Sequence, residues 1–79
     1  MTPAEVAQVM AEILDLDEVD ADQNFFEIGG NSFLALTLMT RVWEKCGRRL
    51  GMIDILRNPT ATGVSELLGG AATNAGTAR

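Results

Sequence analysis

A chain of 79 residues and 8.5 kDa, 47% hydrophobic and 22% charged, makes one packed domain, too apolar for disorder and too short to enclose a substrate cleft of its own. Its single cysteine, Cys46, and its lack of histidine exclude an intramolecular disulfide and the usual zinc ligand sets. The net charge of -5 is uneven, with eight acids and no Lys or Arg from Met1 to Asn31 against three acids and six bases from Ser32 onward, a pattern that disfavours nucleic acid and anionic membranes and favours partners with basic surfaces.

The opening Met1-Thr2-Pro3-Ala4-Glu5 has neither a basic start nor a long apolar run. No signal peptide or membrane span is expected, and cytoplasm is the default location. From Pro3, the apolar positions Val6, Val9, Met10, Ile13 and Leu14 recur at helical spacing, with Thr2 as N-cap and Pro3 at the first helical position. The stretch from Asp15 to Asn31 is long for a connection and punctuated by Asp, Asn and Gly, but Leu16, Val19, Phe25, Phe26 and Ile28 give it apolar anchors. An ordered crossover that packs on the core is expected there.

A second helix is predicted from Ser32 to about Cys46, ending at Gly47. Leu34, Ala35, Leu38, Met39, Val42 and Cys46 share one arc at helical periodicity and form its expected core face, with Thr37, Thr40, Arg41 and Glu44 on the wet side. Phe33 falls in the wet sector, and Leu36 and Trp43 fall at the edge of the apolar arc near Ser32. Two placements of Phe33 stay open: an exposed contact residue, or a staple folded back on Phe25 or Ile28. Gly47 to Gly51 is a basic connector, and Met52 to Leu56 a short apolar segment that Asn58-Pro59-Thr60 terminates. Thr62 is the expected cap of a last helix through Leu68, with Glu66 close to capping-box spacing. Gly69-Gly70 ends it, and residues 71–79 read as a loose tail after a domain of residues 1–70. The prediction is all-α, with three substantial helices and a short one.

Chemistry is scarce in this chain. Nucleophilic catalysis at Ser32 or Cys46 needs a base, usually His, and none exists. The run Asp20-Ala21-Asp22-Gln23-Asn24 opens like a calcium loop, but Phe25 stands where the turn glycine belongs and Asn31 where the closing glutamate belongs. Gly29-Gly30-Asn31-Ser32 lacks the lysine of a phosphate-cradling loop. What stays is a serine at a helix start, where backbone N–H groups favour an attached anion and two glycines clear side-chain bulk. An ordinary turn with a serine cap accounts for the same four residues.

The run Phe25-Phe26-Glu27-Ile28-Gly29-Gly30-Asn31-Ser32-Phe33-Leu34-Ala35, with Asp22 ahead of it and Leu56-Arg57-Asn58-Pro59-Thr60 after it, resembles the phosphopantetheine attachment motif of carrier proteins, specifically the peptidyl carriers of nonribosomal peptide synthesis. Ser32 matches the attachment site. Asn31 replaces the Asp usual in fatty-acid and polyketide carriers, and Phe33 departs from the usual Leu.

The resemblance implies a four-helix bundle with a long loop between helices one and two and a short third helix. It implies a 4'-phosphopantetheine arm, transferred from coenzyme A to Ser32 by a phosphopantetheinyl transferase. An adenylation enzyme would load the arm with an aminoacyl thioester for condensation or tailoring enzymes, as in antibiotic biosynthesis. The carrier itself would be a non-catalytic monomer, binding neither nucleic acid nor membrane. Phe33, Leu36, Met39, Trp43, Met52 and Ile53 are the candidate partner surface. Alternatives are an acyl or aryl carrier of a polyketide or hybrid pathway, and an arm-less helical interaction domain. A chain that opens at Met1 with one carrier-sized unit is expected to be freestanding; an excised domain has the same appearance.

Overall fold

The computed structural model describes residues 1–69, and among them the chain is all-α: α1 (Pro3–Leu14), α2 (Ser32–Cys46), α3 (Met52–Arg57) and α4 (Ala61–Leu67). Helix α1 starts where Thr2 and Glu5 satisfy each other's backbone, Glu5 N–H donating to Thr2 Oγ1 at 3.1 Å and Thr2 N–H to Glu5 Oε1 at 2.8 Å. The Thr2 N–H holds the Glu5 carboxyl below its ordinary value. Asp15 ends α1 in the left-handed region at φ 59°, a conformation its short polar side chain tolerates.

The core lies where α1 packs on α4 and α2, and α3 bridges α2 and α4. Val6, Met10, Leu38, Val42, Ile55 and Val64 are fully buried there, and the crossover contributes Phe25 to the same cluster. Ala7, Ala11, Ala35 and Ala61 fill the close approaches. Such small side chains let a chain of this size bring its helices together around few large residues.

The crossover is ordered, as its apolar anchors predict, although Leu16 faces solvent. Its backbone is tied to the head of α4, with Phe25 N–H donating to Pro59 O at 2.8 Å and Thr62 N–H to Ala21 O at 3.0 Å. Helix α3 ends at Asn58, the residue before Pro59 and non-helical at ψ 70°, because the proline ring crowds a helical predecessor.

Several expectations need correction. Helix α2 runs from Ser32 to Cys46 as expected, and what falls is the alternative of a serine cap: Asn31 caps α2, its Oδ1 accepting from Leu34 N–H at 2.9 Å, and Ser32 is the first helical residue. Thr60, not Thr62, caps α4 by accepting from Gly63 N–H at 3.0 Å. Glu66 therefore lies too far along α4 for a capping box. Cys46, in the last turn of α2, is exposed, and Val42 is the last buried residue of that arc. Leu34 and Met39 are only half-buried at the margins of the core arc, while Thr37 and Arg41 are half-covered rather than wet. Arg41 reaches Glu12 of α1 at 3.1 Å in a surface ion pair. The loose tail expected over residues 71–79 lies outside the described residues.

Candidate phosphopantetheine attachment site

The segment before α2 is shaped by two glycines with different duties. Gly29 has φ 119°, a conformation that side chains rarely adopt. Gly30 has no room for a side chain, since a Cβ there would stand 2.6 Å from Phe25 O and closer still to the Phe25 ring. The same approach lets Gly30 N–H donate to Phe25 O at 2.9 Å. Phe25, fully buried and edge-on to Phe26 with ring centroids 5.4 Å apart, is thus the abutment against which the start of α2 is set.

Ser32 emerges from this turn exposed, and among the described residues no group hydrogen-bonds its hydroxyl. The N–H groups of Ser32 and Phe33, in the first turn of α2, have no intrahelical acceptor either, whereas Asn31 satisfies those of Leu34 and Ala35. A free hydroxyl beside two open donors at the positive end of a 15-residue helix fits an attached phosphodiester. The other serine, Ser65, is fully buried and donates to Met1 O at 2.6 Å. Among the described residues no cluster of Asp, Glu, Cys or His is arranged to hold a metal ion, and no helix is long and apolar enough to cross a membrane.

Phe33 is 75% exposed, which rules out the stapled placement, and Ile53 is 58% exposed. Leu36 and Trp43 are half-exposed on the arc of α2 that Ser32 heads, while Met39 and Met52 are half-buried. Sequence reasoning missed Arg49, whose guanidinium carbon lies 5.1 Å from the centroid of the Trp43 ring. It pairs with Trp43 across the α2–α3 connector, and only the basic character of that connector hinted at it. Met39, Thr40, Trp43, Arg49 and Leu50 line a shallow cavity of about 220 Å³ at that end of α2.

Residues 4–68 match the family described as "Phosphopantetheine attachment site". A dimodular nonribosomal peptide synthase of Bacillus subtilis is 41% identical over 69 residues, which cover 85% of this chain and 3% of that protein. The chain thus spans only a small part of the curated relatives it matches. Among solved structures, the type-II acyl carrier protein involved in bleomycin biosynthesis from Streptomyces verticillus superposes with a TM-score of 0.81 at 28% identity, covering 90% of this chain and 86% of that one. A nonribosomal PCP domain superposes with a TM-score of 0.73 at 33% identity, covering 85% and 88%.

Proposed function

The chain belongs to the phosphopantetheine attachment family, and from that premise we propose that it is a peptidyl carrier whose arm is joined to Ser32. The observation that carries this reading is the Ser32 hydroxyl, exposed at the head of α2 inside the matched segment and engaged by no described residue. The chain supplies no histidine, so the hydroxyl gives its proton to a base of the transferase as its oxygen bonds to the phosphorus next to the pantetheine, the pyrophosphate bond of coenzyme A breaks and adenosine 3',5'-bisphosphate leaves. Gly29 and Gly30 keep side chains out of the approach to it, and the Ser32 and Phe33 N–H groups stabilise the resulting negative charge. When attached, the group supplies a thiol on a long flexible arm that carries an acyl cargo as a thioester.

The carrier domain in this proposal is residues 1–70, non-catalytic, monomeric and cytoplasmic. An adenylation enzyme loads it with an amino acid, and condensation or tailoring enzymes unload it. The relatives that make nonribosomal peptides support that assignment of pathway. Phe33, Leu36, Met39, Trp43, Met52 and Ile53 are the proposed contact surface for these enzymes. Exposed apolar side chains aligned with Ser32 on α2 let a partner hold the helix while it works at the serine.

Incubation with coenzyme A, magnesium and a broad-specificity phosphopantetheinyl transferase tests the reading by intact mass. A gain of about 340 Da in the wild type, absent in Ser32→Ala, is expected. An unmodified wild type, or a modified Ser32→Ala, contradicts it.

A further inference from the structure

No Cα atoms of α2 and α4 come within 8 Å of one another among the described residues, yet the head of α4 is connected to Ser32 by a continuous series of short contacts. Thr62, in the first turn of α4, donates its Oγ1 to Asp22 Oδ1 at 3.3 Å and its N–H to Ala21 O at 3.0 Å. Pro59 O, just before α4, accepts from Phe25 N–H at 2.8 Å. Phe25 O in turn accepts from Gly30 N–H at 2.9 Å, and the Phe25 backbone and ring leave no space for a Cβ at Gly30. Two residues later comes Ser32. From the α4 side, the crossover is therefore the hydrogen-bonded route that leads to the start of α2.

We infer that Thr62 and Asp22 are positioning residues for the reaction at Ser32, an inference that rests on Ser32 being the attachment point. Neither belongs to the core: Asp22 is exposed and Thr62 is half-covered. Their hydrogen bond crosses 40 residues of sequence and fastens the crossover three residues before Phe25. Its loss removes a side-chain tie while the backbone bonds from Phe25 to Pro59 and from Thr62 to Ala21 remain, so the Phe25 segment stays folded but is held less closely, and Gly30, in contact with it, is held less closely as well. A nucleophile displaced by a fraction of an ångström reacts more slowly even where docking is unaltered. The exposed apolar side chains Leu36 and Trp43 lie a turn or more further along α2, away from the displaced end.

The reaction itself separates this role from a structural one, because the carrier is the substrate of the transferase. A variant that is partly unfolded lowers the concentration of competent substrate and raises the apparent KM, leaving kcat intact. A folded variant with a misplaced hydroxyl lowers kcat and leaves KM intact.

The experiment measures both constants for phosphopantetheine transfer to the full chain with a broad-specificity transferase and coenzyme A, and records a thermal melt of each variant. For Thr62→Val and Asp22→Ala, kcat is expected to fall roughly three- to tenfold, with KM and the melting temperature close to wild type. The double variant falls no further than either single one, and Thr62→Ser restores the wild-type rate. A wild-type kcat in Thr62→Val, a change confined to KM, or a Thr62→Ser as slow as Thr62→Val overturns the inference while leaving Ser32 as the attachment point. A wild type that takes no group at all removes that attachment point and the inference together.

Discussion

The start of α2 and the middle of α4 each carry one of the two serines in the chain, and the fold treats their hydroxyls in opposite ways. Ser65 is fully buried and its hydroxyl is committed to Met1 O at 2.6 Å, so it closes the domain by fastening the N-terminus to the last helix. Ser32 is exposed, stands at a helix start whose cap is supplied by Asn31, and has a hydroxyl that no described residue engages. The difference originates in the neighbours. Asn31 takes over the capping duty that a serine at a helix start would otherwise perform, and Gly29 and Gly30 let the backbone turn tightly under Phe25. A hydroxyl relieved of structural work is available to a partner.

Substitutions should affect the two serine settings unequally. The largest effect is expected from Phe25→Ala, which removes a fully buried ring from the core and should cost about 3–5 kcal/mol in urea denaturation. Loss on that scale in so small a domain erases the difference between the serines by unfolding both settings. Gly30→Ala comes next. Its Cβ would meet Phe25 O at 2.6 Å, and the forced shift should cost about 1–3 kcal/mol, with the transfer of phosphopantetheine slowed at the Ser32 end. Smaller again, Ser65→Ala leaves Met1 O without its donor and should lower stability by about 1 kcal/mol. Unlike Gly30→Ala, it should leave the rate of modification of the folded protein unchanged.

The smallest effect is one of pH. The Thr2 N–H lowers the folded-state pKa of Glu5 below the ordinary value of 4.5. A carboxyl depressed in the folded state contributes stability that is present above its unfolded value and lost as pH falls through the folded one. Acidification below 4.5 should therefore loosen the first turn of α1 and, with it, the Met1 carbonyl that Ser65 uses. Amide protection, measured against the intrinsic exchange rate at each pH, should fall at the start of α1 in this window. The start of α2, capped by the neutral side chain of Asn31, should not respond through this route.

The sequence was most legible where periodicity and punctuation agree. Thr2-Pro3 and Gly47 bracket α1 and α2 where the structure begins and ends them, because caps and helix breakers act locally. The start of α4 was misread by two residues. Thr60 and Thr62 are both competent caps, and only the proximity of Thr60 to Gly63 N–H decides between them. Burial was less legible than helicity: Cys46 shares the core arc of α2 at helical periodicity, yet burial on that arc stops at Val42 and Cys46 is exposed. Ser32 drew attention through its neighbours, whereas the tie between Thr62 and Asp22 could not be read at all, since nothing local signals a pairing across 40 residues. Arg49 over Trp43 was hidden for a different reason: the two are near in sequence, but the path of the connector decides whether Arg48 or Arg49 meets the ring.

With the arm on Ser32, as proposed, the exposed serine carries the cargo and the buried one only holds the fold. Trypsin separates them, because Ser32 lies in the peptide ending at Arg41 and Ser65 in the peptide beginning at Asn58. After treatment with transferase and coenzyme A, peptide mapping by fragmentation mass spectrometry should find the added group on Ser32 alone. The added group on the Asn58 peptide, or on any residue of the first peptide other than Ser32, would contradict the account.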